Sequence, residues 1–355
     1  MSRSPGRSVF GILRNLVHTP ESNPFSGFIG TFMARDALGL AGRYLDLKRD
    51  DTVLLPAYLC KEVLRPFAGK SRLLFYDVSD DLSVEPDTIR GWLDRERVRL
   101  LVVINYFGFL QPWRHEIARI CAEHQTVLLE DCAHSLLTDG SGDTGHLSVV
   151  SYRKLLPVFD GGGLRIGGAA PELTVPYHPR LYSNMLSMLA TVKALTHFRS
   201  DTLSRAGVAD RRSTAVADER PQWQGKVLPL SWFTSNGAAN APFAEIVDRR
   251  RADYEFWQAH VVAASGLSPV MSRLGEGVCP LGFPALAEDR DALKSELERA
   301  GVPVTVHWAL PPGVGLECAN SQRLSRRMMT LPVYPELDRR AAERAPDILA
   351  RGRRR

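Results

Sequence analysis

From Thr31 to about Ile166, short apolar runs alternate with amphipathic stretches. This is the pattern of repeated strand–helix–strand units around a mainly parallel sheet. The apolar runs predict strands at Thr52–Leu55, Arg72–Tyr76, Leu100–Asn105, Val127–Glu130, Leu147–Tyr152 and Leu164–Ile166. The amphipathic stretches predict helices at Met33–Leu47, Lys61–Phe67, Glu85–Arg95 and Trp113–His124. Runs such as Leu-Leu-Val-Val-Ile at 100–104 carry no polar alternation, as expected of strands covered on both faces.

Beyond Ile166 the pattern changes. A proline-rich start leads to a helix near Leu186–His197 and then to a polar Arg/Asp/Ser stretch near 198–220, a helical excursion followed by a mobile linker. A second unit opens at about Ala239 with a helix over Phe243–Val261. It continues with strand-like Gly282-Phe283-Pro284-Ala285, a helix at Asp289–Ala300 and a strand at Val302–Trp308. The expected organisation is a large α/β domain over 25–230 (its 167–230 part the excursion and linker) and a small C-terminal α+β domain over 239–345. Tails would cover 1–24 and 346–355. No internal repeat is visible.

Composition narrows the class. Of 355 residues 44% are hydrophobic and 24% charged, as in an ordinary globular protein. The net charge of +5 is a small excess of 45 basic over 40 acidic residues, part of it in the terminal Arg351-Gly352-Arg353-Arg354-Arg355. Without a basic stripe interleaved with aromatics, no nucleic-acid partner is expected. The five cysteines have no CxxC spacing, so neither a disulfide framework nor a metal site is indicated. No apolar run reaches membrane-spanning length and no apolar signal core opens the chain, so no membrane partner is expected and the expected location is cytoplasmic.

The candidate chemistry lies between Val127 and Ile166. A strand ends in Glu130-Asp131-Cys132-Ala133-His134-Ser135; Ser151-Tyr152-Arg153-Lys154 follows, then Asp160-Gly161-Gly162-Gly163. Only seven residues are lysines, which makes one at the end of an apolar strand conspicuous. A pyridoxal 5′-phosphate (PLP) site needs a lysine amine for a Schiff base, an acid to keep the pyridine nitrogen protonated, and a phosphate-binding turn. Lys154 and Asp131 fit the first two roles, because a carboxylate beside a pyridinium gains a charge-assisted hydrogen bond.

Each residue also has a plainer reading. Asp131 alone would be a loop aspartate capping a helix, and Lys154 alone a solvent-facing lysine. His134, three residues after Asp131, would reach the cofactor ring or its phenolic oxygen, or be a satisfied core histidine. Ser151 would donate to the phosphate, or merely fit a packed strand. Asp160 and its glycines read as a tight turn re-entering the sheet. The glycine spacing excludes a dinucleotide fingerprint. The helix from Met33 would offer its N-terminal amides to the phosphate, with Arg35 adding charge or lying on the surface.

Together these residues resemble the DegT/DnrJ/StrS family of fold-type-I, PLP-dependent sugar aminotransferases. The matching segments, over roughly 28–170, are Ala37-Leu38 with Asp51–Tyr58, Phe75-Tyr76-Asp77-Val78, Asn105-Tyr106-Phe107-Gly108, Glu130–His134, Ser151-x-Arg153-Lys154 and Asp160-Gly161-Gly162. Leu331-Pro332-Val333-Tyr334-Pro335 resembles the family's closing segment.

The resemblance implies a mainly parallel, seven-stranded type of sheet flanked by helices, with a smaller C-terminal α+β domain. Lys154 would hold the cofactor and shuttle a proton, Asp131 would contact the pyridine nitrogen, and His134 would lie beside the ring. An amino group would pass from an amino-acid donor to a keto sugar or related carbonyl compound. Active sites would lie at a homodimer interface.

The chain departs from the family pattern at four places. The Ser-Gly-Thr phosphate turn reads Ala34-Arg35-Asp36, and the serine stands three rather than five residues before the lysine. Ser231–Asn236 stands where a partner-subunit segment with Asn and Arg is expected. The aromatic stack over the ring has no clear equivalent, with Tyr58 or Cys60 nearest its position. The alternatives are another PLP reaction on this scaffold, or a non-catalytic member serving as a partner protein.

Overall fold

The structure, a computed structural model, describes residues 25–168, 175, 177–201, 227–262 and 266–345. The expected tails and the stretch 202–226, where the linker was expected, lie outside the described residues.

The first part runs β1 (Ile29–Thr31), α1 (Ala34–Tyr44), β2 (Thr52–Pro56), α2 (Lys61–Leu64), β3 (Arg72–Tyr76), α3 (Pro86–Leu93), β4 (Val98–Ile104) and α4 (Arg114–Glu123). It continues with β5 (Val127–Cys132), β6 (Leu147–Ser151), α5 (Tyr152–Leu155), β7 (Gly162–Ile166) and α6 (Arg180–Asp201). Seven strands form one sheet in the order β1-β7-β6-β5-β4-β2-β3. The pairs from β3 to β6 are parallel, and β7 joins antiparallel to both β6 and β1.

Local chemistry explains the helix starts. Asp36 reaches back to accept the Met33 N–H at 3.1 Å, closing the first turn of α1. The apolar stripe Ala37, Leu38, Leu40 and Ala41 buries this helix against β6 and β7. Pro86 supplies the first residue of α3, where its missing N–H costs nothing. Every residue of β2 and β6 is buried, matching the unalternated apolar runs.

Differences from the expected elements are informative. β5 runs two residues further than expected, so Asp131 belongs to the strand and no helix follows for it to cap. Lys154 sits in a single helical turn rather than an open loop exit. The strand expected at Val302–Trp308 is irregular backbone with one bridge, Thr305 to Thr330. β-branched residues suggested a strand there, but Pro303 lacks the N–H that a full ladder requires.

The second part runs α7 (Trp232–Ala239), α8 (Phe243–Val262), β8 (Leu267–Pro269), β9 (Phe283–Ala287), α9 (Arg290–Arg299), α10 (Ala319–Arg327), β10 (Met328–Leu331) and α11 (Arg339–Ala342). Its antiparallel sheet, β10-β9-β8, packs on a separate core that includes Tyr254, Trp257, Phe283, Leu297 and Met329. A polar seam joins this part to the large sheet. Leu281 N–H donates to the Phe107 carbonyl at 2.8 Å, and Cys279 N–H to Thr138 Oγ1 at 3.0 Å. Gly108 (φ 100°) permits the approach, since a Cβ there would stand 2.2 Å from the Cys279 carbonyl oxygen.

Candidate active site

In a sheet of this kind, ligands bind outside the carboxyl ends of the parallel strands, near the point where the strand order reverses. Here β2 has β3 on one side and β4 on the other, so the reversal falls at β2 and β4. The expected site residues follow the strand ends on that edge: Tyr58 and Cys60 after β2, Asp131 and His134 at the end of β5, Ser151 and Lys154 at the end of β6.

Register then sorts their faces. Asp131 pairs with Val149, and laterally paired residues point to one face, as do residues two apart in a strand. Asp131 and Ser151 therefore share the face covered by the start of α1, which a Cβ on Gly162, the partner of Ser151, would meet. Cys132 and Val150 face the opposite core.

Electrostatics ties the constellation together. Asp131, 5% exposed, accepts the Ala133 N–H at 3.0 Å. Burial pushes its carboxyl up, and the Lys154 charge and that N–H pull it back only partly. Burial pushes the Lys154 amine down against the opposing pull of Asp131 and Cys60. Each lies within the field of the other. His134 is held well below the usual histidine range, first by burial and then by the charges of Lys154 and His307. Its Nδ1 accepts the Phe107 N–H at 3.2 Å, which leaves the proton of the neutral ring on Nε2.

The phosphate end can be tested on the glycine run. Only Gly161 (φ 115°) has a turn conformation; Gly162 and Gly163 belong to β7. A Cβ on Gly162 would fall 2.4 Å from the Ala34 nitrogen, so this glycine lets the start of α1 sit directly on the strand. The reading of all three as a turn is corrected: two of them are close-approach residues. Ser151 pairs with Gly162 and points to the same face. It is 2% exposed, and its hydroxyl makes no hydrogen bond among the described residues. The Ala34 N–H likewise has no acceptor among them. A hydroxyl and a helix-start amide thus face one spot beside Lys154, a donor set that fits a phosphate. Arg35, expected to add charge there, is engaged by Glu62 at 2.5 Å.

Tyr58 is fully buried, donates from its hydroxyl to the His307 carbonyl and packs among aromatic rings. Cys60 is half-buried at the start of α2. Several contributors were not anticipated. Phe107 orients His134 from a left-handed backbone (φ 52°, ψ 21°), while His307 and Trp308 come from the second part. Arg250 is buried and donates to the Lys154 carbonyl at 3.4 Å. The visible signal was the His-Trp pair ahead of two prolines; the Arg250 role carries no sequence signal, since it sits among other arginines.

Residues 28–165 match the model of the DegT/DnrJ/EryC1/StrS aminotransferase family. Over that segment the chain is similar to this family. Solved structures extend the likeness to nearly the whole chain. The aminotransferase TlmJ from Streptoalloteichus hindustanus superposes with a TM-score of 0.67 at 19% identity, covering 98% of this chain and 91% of that one. The putative sugar aminotransferase Spr1654 from Streptococcus pneumoniae, in its PLP form, gives 0.68 at 14%, covering 98% and 97%. NtdA from Bacillus subtilis, solved with the cofactor PMP, gives 0.66 at 14%, covering 91% and 72%. At such identities the likeness establishes the fold: a mainly parallel seven-stranded sheet with a second, small sheet, as in the fold-type-I aminotransferases.

Proposed function

We propose that the chain is a PLP-dependent aminotransferase that moves an amino group from an amino-acid donor to a keto sugar or related carbonyl compound. One observation carries this reading: Asp131, Lys154 and His134 meet at the carboxyl edge of the sheet, beside an unmatched hydroxyl and helix-start amide. The family match over 28–165 and the sugar aminotransferases among the similar folds support it.

When bound, the cofactor would supply an electron sink for charge developing on the donor carbon. The residues have separable tasks. Asp131 holds a proton on the ring nitrogen, a role that a single charged partner and a dry surrounding strengthen. Lys154, with its amine pushed toward the neutral form by burial, is the nucleophile that anchors the cofactor and then moves a proton. His134 stays uncharged and offers Nε2–H to the ring substituents. Ser151 and the α1 amides take the phosphate, and in this reading the chain divides into domains over 25–230 and 239–345 with the site where the two meet.

A homodimer belongs to this reading. Leu181, Met185, Met188 and Leu189 form an exposed apolar stripe on α6, with Trp232 of α7 beside it at 48% exposure. Such a patch fits a protein interface. A cytoplasmic location is supported by five free thiols, and no described helix is long and apolar enough to cross a membrane.

The test is a half-reaction. Protein loaded with PLP is mixed with single amino acids, and the absorbance change to the pyridoxamine phosphate form is followed. Conversion by at least one donor, reversed by a keto sugar, is expected. No conversion with any of the twenty would refute transamination.

A further inference from the structure

Five aromatic rings cluster beside the candidate site. Tyr58, Tyr106 and Phe107 are fully buried and His134 is 5% exposed, whereas Trp308 is half-buried. The indole lies at the centre of the group. Its ring centroid is 5.2 Å from Tyr58, 6.3 Å from Tyr106, 6.2 Å from Phe107 and 5.7 Å from His134. It is parallel to Phe107 within 10° and to His134 within 30°.

Trp308 is held there deliberately by the backbone around it. Ser325 Oγ donates to its carbonyl at 2.6 Å, and the Tyr58 hydroxyl donates to the carbonyl of His307. His307 Nδ1 is 3.0 Å from Thr330 Oγ1, and the Thr305–Thr330 bridge fixes the segment to β10. A side chain on irregular backbone is thereby placed as firmly as one on a strand.

A planar aromatic ligand is bound mainly by apolar and aromatic walls, with few polar groups to orient it. At this site Asp131, Lys154 and Ser151 supply the polar groups. Tyr58 cannot serve as a wall, because its ring is fully buried and its hydroxyl is engaged. Cys60, near Lys154, offers a thiol rather than a ring. Phe107 is enclosed on all sides.

We propose that Trp308, delivered by the C-terminal unit, is an aromatic wall of the cofactor pocket. This rests on the PLP reading above. Cofactor binding thereby depends on the seating of the C-terminal unit against the large sheet, since Tyr58 and Ser325 hold Trp308 from opposite sides of that junction.

The test uses the full chain and PLP itself. Dissociation constants are measured by absorbance titration, and the visible circular dichroism of the bound cofactor is recorded, for wild type, Trp308→Leu, Trp308→Phe and Trp113→Phe. Trp308→Leu keeps apolar bulk without a ring and is expected to weaken PLP binding about tenfold, as loss of an aromatic contact implies, and to reduce the dichroic band. Trp308→Phe restores binding to within about threefold of wild type, and Trp113→Phe, on an exposed surface, changes neither readout. A Trp308→Leu protein with wild-type affinity and dichroism would overturn the proposal, as would equal losses in the Leu and Phe variants. Wild type that forms no PLP band refutes the cofactor reading itself, a different result from either.

Discussion

Two buried aspartates, 29 residues apart by their numbers, contrast a carboxylate that the fold itself satisfies with one proposed to serve a cofactor. Asp160 is fully buried and accepts from four donors: Ser231 Oγ at 2.8 Å, Ser231 N–H at 3.2 Å, Ser187 Oγ at 3.1 Å and Thr234 Oγ1. Asp131 is nearly as buried but accepts one N–H, from Ala133, and otherwise faces the charge of Lys154. Burial raises the carboxyl of both. In the first, fixed neutral donors fill the lone pairs and pin α6 and α7 to the turn that follows Lys154. In the second, the fold leaves lone pairs unfilled, as the proposed role toward the cofactor requires.

The largest expected contrast is in activity. Lys154→Ala should lower turnover by about 100- to 10,000-fold, and Asp131→Ala by about 100- to 1,000-fold, both measured in the amino-transfer assay. Neither should lose stability in urea unfolding, since each removes a buried charge that the fold does not need. A large loss of stability in Asp131→Ala would erase the distinction between the two aspartates.

Asp160→Ala should show the opposite. It strands three hydroxyls and an amide, and a cost of at least about 3 kcal/mol in urea unfolding is expected. Asp160→Asn should recover only part of this, because its amide hydrogens meet donors. Wild-type stability in Asp160→Ala would show that the cluster anchors nothing.

Gly162→Ala comes next. The added methyl meets the Ala34 nitrogen at 2.4 Å, so about 1–3 kcal/mol of stability should be lost. Affinity for PLP should fall more than affinity for pyridoxal lacking the phosphate. Equal losses for the two would separate the start of α1 from phosphate binding.

The smallest effect concerns pH. Both aspartates have folded-state values above the ordinary one, near 3.9 when unfolded. Between those values the folded chain holds more protons, so stability of the cofactor-free protein should fall as pH rises through that window. Asp131→Asn should remove part of this slope, read as unfolding midpoints across the acid range.

Much of this was legible in sequence because it follows from period and order. The apolar runs marked every parallel strand, since strands covered on both faces need such runs. Asp131 and Lys154 could be paired because one lies at the end of a strand and the other just beyond the end of its neighbour, and neighbouring strands bring their ends together. Asp160 was placed in the same stretch but only as part of a turn, because its donors, Ser187, Ser231 and Thr234, are far along the chain and carry no periodic signal. Gly162 looked like turn chemistry for the same reason: the α1 terminus it admits lies 128 positions earlier, by the numbers of Ala34 and Gly162. Trp308 was hidden by the strand-like composition of Val302–Trp308, which Pro303 and tertiary contacts override.

The central claim is that Lys154 and Asp131 form a PLP site. Its most direct test is an absorbance titration of purified wild type and Lys154→Ala with PLP. The expected result is a visible band from lysine-bound cofactor in wild type that is missing in Lys154→Ala. A wild-type protein with no such band, or a band of equal strength in the variant, would contradict it.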